Sequence, residues 1–397
     1  MRIIYIHQYF RTPEEGGAIR SWHLANALAT EGHDVMVITS HNALSEIRQL
    51  GNIKVCYIQV SYDNSFGIRK RIQAFLSFFY KAFKFILSEK KPDLLFATST
   101  PLTVGVLALL LKKVKGIPYY FEVRDLWPLV PEEMGIISNP LLLKTAYSFE
   151  KSIYQNARRI IALSPSMEAY ISERIKEKEK LLCIPNFADC EFFTTEKNLP
   201  SERYPQLIDK FVIGYFGAAG KANDLLQLAK AAHYLKASGI TKVVFWIMAS
   251  GSELKRLKNF AQQHELDSMV FSDYLDKESI RKALTYCDAS YVSYADYPSL
   301  WTGSPNKFFD SIAAGKLVIL NFGGWLKEVV EDYHCGFYYD RRRPEQFWQK
   351  LEPFLSNAEL LQKAQANSRR LALQKFSRTE QVSTFLNLFR PGTSFRN

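Results

Sequence analysis

The feature that most limits how this chain can fold is an alternation, run through twice, of short β-branched segments and helix-length stretches. Strands are expected near Ile3–His7, Val35–Thr39, Ile53–Gln59, Leu94–Ala97, Tyr119–Val123 and Ile160–Leu163. After a polar stretch from Ala188 to Lys210 the pattern restarts with Phe211–Phe216, Val243–Ile247, Ser290–Ser293 and Leu317–Leu320. Apolar strands separated by helices mark parallel sheets covered on both faces. A chain of 397 residues also exceeds one ordinary core. The expectation is therefore an α/β protein of two doubly wound, Rossmann-like domains facing a cleft, at 1–195 and 205–375, with 376–397 crossing back to the first. Ligands in such sheets bind beyond the carboxyl ends of the strands, so the loops there are where chemistry is sought.

Charge narrows the partners. The 51 basic and 40 acidic residues leave a net charge of +11, which suits a polyanionic neighbour. Much of the excess gathers at Arg69, Lys70, Arg71, Lys81, Lys84, Lys90 and Lys91, around an aromatic stretch from Phe75 to Leu87. Phe75, Phe78, Phe79, Phe83 and Ile86 recur at helical spacing. Such a stripe packs on its own domain or dips between lipid headgroups while lysines face anionic lipid, and both can hold at different ends. Nucleic acid is the least supported partner, because the basic cluster is interleaved with a continuous apolar stripe rather than isolated stacking aromatics. Five cysteines at unrelated spacings suggest small core residues in a reducing cytosol, with neither a disulfide framework nor a zinc pair. No apolar run reaches membrane-spanning length, and MRIIYIHQYF reads as a first strand rather than a signal peptide.

Four loops carry candidate chemistry. After the first strand come Gly16, Gly17 and Arg20, with a helix expected from near Ala18 whose amides would face a ligand. At the end of another strand stand Glu122, Arg124 and Asp125, where charges must pair or face water. Asp125 or Glu122 is placed there to act on a hydroxyl or orient an acceptor, and an Arg124–Glu122 ion pair is the structural alternative. The second half opens with Gly214, Gly217 and Gly220 before Lys221, a strand, glycine turn, lysine and helix start that together suit phosphate. Most specific is the segment from Trp301 to Lys316. Ser304 is expected to cap a helix beginning at Pro305, so that amides near Asn306 and Lys307 face a diphosphate. Asp310, one turn later, can accept hydrogen bonds from ribose hydroxyls.

In its order of motifs the chain resembles the retaining glycosyltransferases of family 4, which have the GT-B fold, and particularly the branch that assembles O-antigen and capsule. The resemblance rests on Gly16–Gly17, KPDLLFATSTP at Lys91 to Pro101, RDLWP at Arg124 to Pro128, and IPNF at Ile184 to Phe187. It continues through GYFGAAGK, the ASGSE turn around Gly251, and SPNKFFDSIAAGKLVI from Ser304 to Ile319. It implies an acceptor-binding first domain and a nucleotide-sugar-binding second one. Gly217, Gly220, Gly251, Thr302, Gly303, Ser304, Asn306 and Asp310 would hold the donor. Gly16, Gly17, Arg20, Glu122 and Arg124 would line the acceptor loop. Asp125, Lys221 and Lys307 would stand closest to the chemistry.

Three departures touch that site. The family's two glutamates, eight positions apart, fall on Thr302 and Asp310. Ala218 and Asn223 stand where asparagine or arginine and then lysine are common, which leaves Lys221 and Lys307 to meet the diphosphate. Arg124 replaces the histidine frequent before the RDLWP-like aspartate. The resemblance implies transfer of a hexosyl or N-acetylhexosaminyl group, commonly from UDP, with retained anomeric configuration and a departing diphosphate stabilised by amides and lysines. No D-x-D pair occurs to hold a metal, and no cofactor is expected. The acceptor would be a lipid-diphosphate-linked saccharide, which gives the basic segment 69–91 a membrane surface to meet at the inner face of a bacterial plasma membrane. Rival readings are a UDP-sugar epimerase of the same fold and a non-catalytic membrane-binding relative.

Overall fold

The computed structural model describes all residues except 18, 64–65, 195–203, 274–275 and 391–397. Its contacts divide the chain into two compact units. The first holds Met1–Pro185, Thr302–Ser304 and the segment from Gln381 on; the second holds Asn186–Trp301 and Pro305–Glu380. The expected domain edge at 195, the helix start near Ala18 and the last residues of 376–397 fall outside the described residues.

The first unit carries an eight-stranded sheet of β1 (Arg2–Ile6), β2 (Asp34–His41), β3 (Glu46–Leu50), β4 (Ile53–Gln59), β5 (Leu94–Thr98), β6 (Tyr119–Val123), β7 (Arg159–Ala162) and β8 (Leu181–Cys183). Its order is β3-β4-β2-β1-β5-β6-β7-β8, parallel apart from the β3–β4 hairpin. The helices are α1 (Arg20–Thr30), α2 (Ile68–Ser88), α3 (Leu102–Lys115), α4 (Leu129–Glu133), α5 (Pro140–Asn156) and α6 (Pro165–Ser172). Crossing from β1 to β2 takes the chain one way along the sheet, whereas α2, α3, α5 and α6 all lie on crossings that run the other way. Right-handed crossovers therefore put those four on the face opposite α1.

The second unit carries β9 (Phe211–Ala218), β10 (Val243–Ser250), β11 (Met269–Ser272), β12 (Ala289–Val292), β13 (Leu317–Leu320) and β14 (Gly336–Tyr338). All are parallel, in the order β11-β10-β9-β12-β13-β14. Around them run α7 (Leu226–Ala237), α8 (Leu254–Gln263), α9 (Lys277–Tyr286), α10 (Pro298–Trp301), α11 (Asn306–Ala313), α12 (Trp325–Asp332), α13 (Pro344–Ser356) and α14 (Ala358–Lys375). Period-2 alternation sends Phe216 and Trp246 to the face covered by Phe308 and Phe309 of α11, and Tyr215, Phe245 and Ile247 to the face covered by α7, α8 and α13. A last helix, α15 (Arg378–Asn387), belongs to the first unit from Gln381 on. There Phe385 packs its ring edge against Phe96, centroids 5.2 Å apart, and the Tyr120 hydroxyl donates to the Leu388 carbonyl at 3.0 Å.

Two expectations change. β3, β8, β11 and β14 are strands beyond those expected; each is short, and all four stand at sheet edges. The aromatic stripe of α2 is also turned inward: Phe78 and Ile86 are buried with Ala74 and Ala82, and Phe75, Phe79 and Phe83 are half-buried. The exposed apolar face is a different one, made by Ile68, Ile72, Leu76 and Tyr80.

Candidate functional site

In the second unit, β9 and β10 end side by side, with Gly217 opposite Ala249 and Ala218 opposite Ser250. Both chains then turn through glycines, Gly217 and Gly251, each at φ 140°, a value that residues with a Cβ rarely adopt. A Cβ on Gly251 would stand 2.6 Å from the Ala219 carbonyl oxygen, and the two turns are already tied by Ala219 N–H to Ser250 O at 2.7 Å and Glu253 N–H to Ala219 O at 2.9 Å. A Cβ on Gly217 would stand 2.6 Å from Cε of Lys307 and 3.0 Å from its Nζ. Glycine is what lets the lysine lie across the strand end.

Lys307 is the second residue of α11, and its ammonium sits 5.1 Å from the centroid of the Tyr215 ring. Burial lowers its pKa to about 8, opposed by the charge of Asp310. Burial likewise raises Asp310 to about 6, with Lys277 and Lys307 pulling it down and Asp189 pushing it up. The helix starts one residue later than expected: Pro305 takes the cap position and gives no side-chain cap bond, while Ser304 precedes it. Phe308 N–H already reaches Pro305 O at 3.0 Å, and the first-turn amides of Asn306 and Lys307 have no carbonyl of their own helix to meet. Two amides, a lysine of depressed pKa and an aspartate of raised pKa thus share one helix start.

Lys221 is placed differently. It lines a cavity of about 400 Å³ with Asp224, Glu253, Arg256, Asp296 and Tyr297, on the side of the sheet covered by α7 and α8. Lys307 lies against Gly217, four residues before Lys221 near the end of β9. Gly220 lies in the turn between, its amide 3.4 Å from the Asn223 side-chain oxygen. Thr302, Gly303 and Ser304 group with the first unit, where the Ser164 hydroxyl donates to the Thr302 carbonyl at 2.6 Å.

In the first unit the expected acceptor residues separate into framework and edge. Arg20 Nε donates to Glu122 Oε1 at 2.9 Å, and the two side chains are 2% and 0% exposed. The remaining guanidinium nitrogens donate to Pro185 O at 2.6 Å and Ile184 O at 2.9 Å, while the Thr98 hydroxyl donates to the other Glu122 oxygen at 2.6 Å. The partner of Glu122 is thus Arg20 and not Arg124, and both charges face each other rather than the loop surface. Gly16 and Gly17 have φ of 67° and 82°, and nothing lies within 4 Å of where a Gly17 Cβ would be.

Arg124 and Asp125 remain at the edge. The Arg124 amide is held by Ser99 Oγ at 3.0 Å, and the Thr100 hydroxyl donates to Asp125 at 2.9 Å. Asp125 keeps an exposed edge; crowding by surrounding protein raises its pKa, against lowering by that hydrogen bond and by Arg124. Sequence reasoning missed His7. Its Nε2 lies 3.3 Å from Arg124 Nη1, and because arginine only donates, the ring is the neutral tautomer with its hydrogen on Nδ1. Burial and the Arg124 charge hold its pKa well below the ordinary histidine value, and buried Nδ1 has no partner. The only signal was its place at the end of the first strand.

Tandem doubly wound sheets, with a lysine laid over a glycine strand end, are the frame of a nucleotide-sugar glycosyltransferase of the GT-B fold. The family models agree: Glycosyltransferase Family 4 matches residues 15–192 and Glycosyl transferases group 1 matches residues 201–371. The chain belongs to the family 4 glycosyltransferases. It is 24% identical over 282 residues to the probable glycosyltransferase WbjE of Pseudomonas aeruginosa, covering 68% of this chain and 67% of that protein. Among solved structures it resembles a sucrose-phosphate synthase from Thermosynechococcus elongatus, with a TM-score of 0.79 at 17% identity over 98% of each chain. Anabaena HepE in complex with UDP-glucose gives 0.70 at 15% identity, over 98% of this chain and 99% of that one. WaaG, a glycosyltransferase involved in lipopolysaccharide biosynthesis, gives 0.69 at 14%, over 98% and 100%.

Proposed function

We propose that this glycosyltransferase moves a sugar from a UDP-sugar to a lipid-diphosphate-linked saccharide in the assembly of a cell-surface polysaccharide such as O-antigen or capsule, with retained anomeric configuration. The observation that carries the reading is Lys307 crossing Gly217 at the start of α11. An ammonium and two helix-start amides aimed at one place are fixed groups that meet charge as it grows on a leaving diphosphate. Transfer in this reading needs no metal. Asp310, one turn along the same helix, takes the ribose hydroxyls as acceptor. Asp125 and Arg124 stand on the acceptor side, steadied by Thr100, Ser99 and His7.

The acceptor's lipid places the protein on the inner face of the plasma membrane, cytoplasmic and peripheral. Support comes from the exposed apolar face of α2, flanked by the exposed Arg69, Lys70 and Lys84. Among the described residues no helix is long and apolar enough to cross a membrane.

The test is UDP release from a panel of UDP-sugars, with and without lipid extracts containing diphosphate-linked saccharides, with NMR of the product anomer. Turnover is expected only with lipid acceptor, and Lys307→Ala is expected to weaken donor binding measurably by calorimetry. Efficient epimer formation without acceptor would overturn the transfer reading, and unchanged donor binding in Lys307→Ala would overturn the site.

A further inference from the structure

Apart from Leu44, Ile47, Val114 and Met1, the exposed large apolar side chains of the first unit fall in two groups far apart in sequence. Along α2, Ile68, Ile72, Leu76 and Tyr80 recur at every fourth residue, 47%, 45%, 56% and 58% exposed, opposite the buried Ala74, Phe78, Ala82 and Ile86. At the start of α5, Leu141 is 74% and Leu142 52% exposed, with Ile136 just before it at 47% and Phe149 at 42%. Leucines so bare at a helix start are unusual unless something covers them.

Topology brings the two groups to one side. The helices α2, α3 and α5 lie on one face of the sheet, and α2 and α5 both pack against α3. Their C-terminal ends meet: Lys115 Nζ reaches the Leu87 carbonyl at 3.5 Å and Lys112 Nζ reaches the Asn156 carbonyl at 2.7 Å. Their N-terminal halves, which hold most of the bare apolar residues, consequently lie on either side of α3 towards the carboxyl edge of the sheet. Charge says what covers them. From Ile68 to Ser88, and again from Met134 to Phe149, there is no aspartate or glutamate, while Arg69, Lys70, Lys84 and Lys144 are exposed. Lys84 folds back over the Tyr80 ring at 5.0 Å, an apolar body with a cationic tip.

We propose that Ile136, Leu141 and Leu142 form a second anchor that enters an anionic bilayer together with the α2 stripe, the two making one docking surface. The inference rests on the membrane reading above and adds an element to it. Apolar tips enter the acyl boundary while the four basic residues meet anionic headgroups, and two separated footholds fix the rotation of the unit on the membrane where one helix would leave it free.

The test is co-sedimentation of the full chain with vesicles of phosphatidylcholine alone or mixed equally with phosphatidylglycerol. Wild type is expected to bind the mixed vesicles only. Leu141→Ser/Leu142→Ser and Ile72→Ser/Leu76→Ser are each expected to lower partitioning by about tenfold or more, and their combination to bring it to background, with UDP binding and gel-filtration volume unchanged. If the α5 pair binds vesicles like wild type while the α2 pair does not, the second anchor is overturned and the membrane reading stands. No binding by wild type overturns both. A wild-type dimer that the α5 pair turns into a monomer, vesicle binding being unchanged, means that a second copy covers these leucines and also overturns the proposal.

Discussion

Arg20 and Lys307 look alike in sequence, each a basic residue in the first turn of a helix a few positions after a glycine, yet the fold gives them opposite fates. Arg20 finds a carboxylate, Glu122, and two carbonyls, and becomes framework. Lys307 finds a glycine and an aromatic ring, and its charge stays only partly compensated by Asp310. The contrast is that a cation at a helix start stays available to a ligand when the fold withholds its counter-charge. Whether it does so depends on residues distant in sequence.

The largest effects should break that comparison outright. Arg20→Ala leaves the Glu122 carboxyl buried without its partner, which is expected to cost about 3–5 kcal/mol in denaturant unfolding. Replacing both by apolar residues of similar volume, Arg20→Met with Glu122→Leu, should restore much of that loss. If the single variant costs under about 1 kcal/mol, the pair is not framework.

Lys307→Ala should do the reverse, lowering kcat/KM by about a hundredfold to a thousandfold, the range for removing one preorganised charge-stabilising donor. Its unfolding free energy should change little. A loss of stability like that of Arg20→Ala, with activity kept, would put Lys307 in the framework as well.

The pH dependence sharpens the contrast. Lys307 titrates at about 8 when folded, below its unfolded value, so the unfolded chain holds more protons above that pH and stability rises from about 8 towards 10. Asp310, raised to about 6, makes the folded chain hold more protons between about 4 and 6, so stability falls as pH rises through that window. In the proposed reading, donor binding uses the charged forms of both. Affinity for UDP by calorimetry should rise through about 6 and fall through about 8, the two values belonging to the interacting pair. In Lys307→Met the alkaline limb should vanish, and a limb that survives there belongs to another group.

How much of this was legible follows the same divide. Central strands were readable because both faces are buried and their apolar runs are continuous, as in Tyr119–Val123 and Leu317–Leu320. Edge strands such as Glu46–Leu50 were not, since a polar five-residue hairpin arm has no run to show. The glycine turn, and to within one residue the helix start expected at Pro305, were visible as local chemistry. Pairings were not: Arg20 and Glu122 are 102 positions apart, and no local rule separates that partner from neighbouring Arg124. Periodicity found the α2 helix yet could not say which of its two apolar faces looks inward, because both Phe78 and Leu76 belong to stripes of helical spacing.

The smallest effect separates the two glycine loops. Gly217 and Gly17 both have positive φ, 140° and 82°, so an alanine at either carries backbone strain of about 1–3 kcal/mol or somewhat less. Only at Gly217 does the added methyl also meet Lys307, 2.6 Å from Cε, so Gly217→Ala should raise the donor KM and lose nothing further when combined with Lys307→Ala. At Gly17 the methyl enters open space, so Gly17→Ala should lower stability by about 1 kcal/mol and leave donor KM unchanged. A Gly17→Ala enzyme with raised donor KM would show that the first loop touches the nucleotide-sugar, and the division of work between the two loops would have to be redrawn.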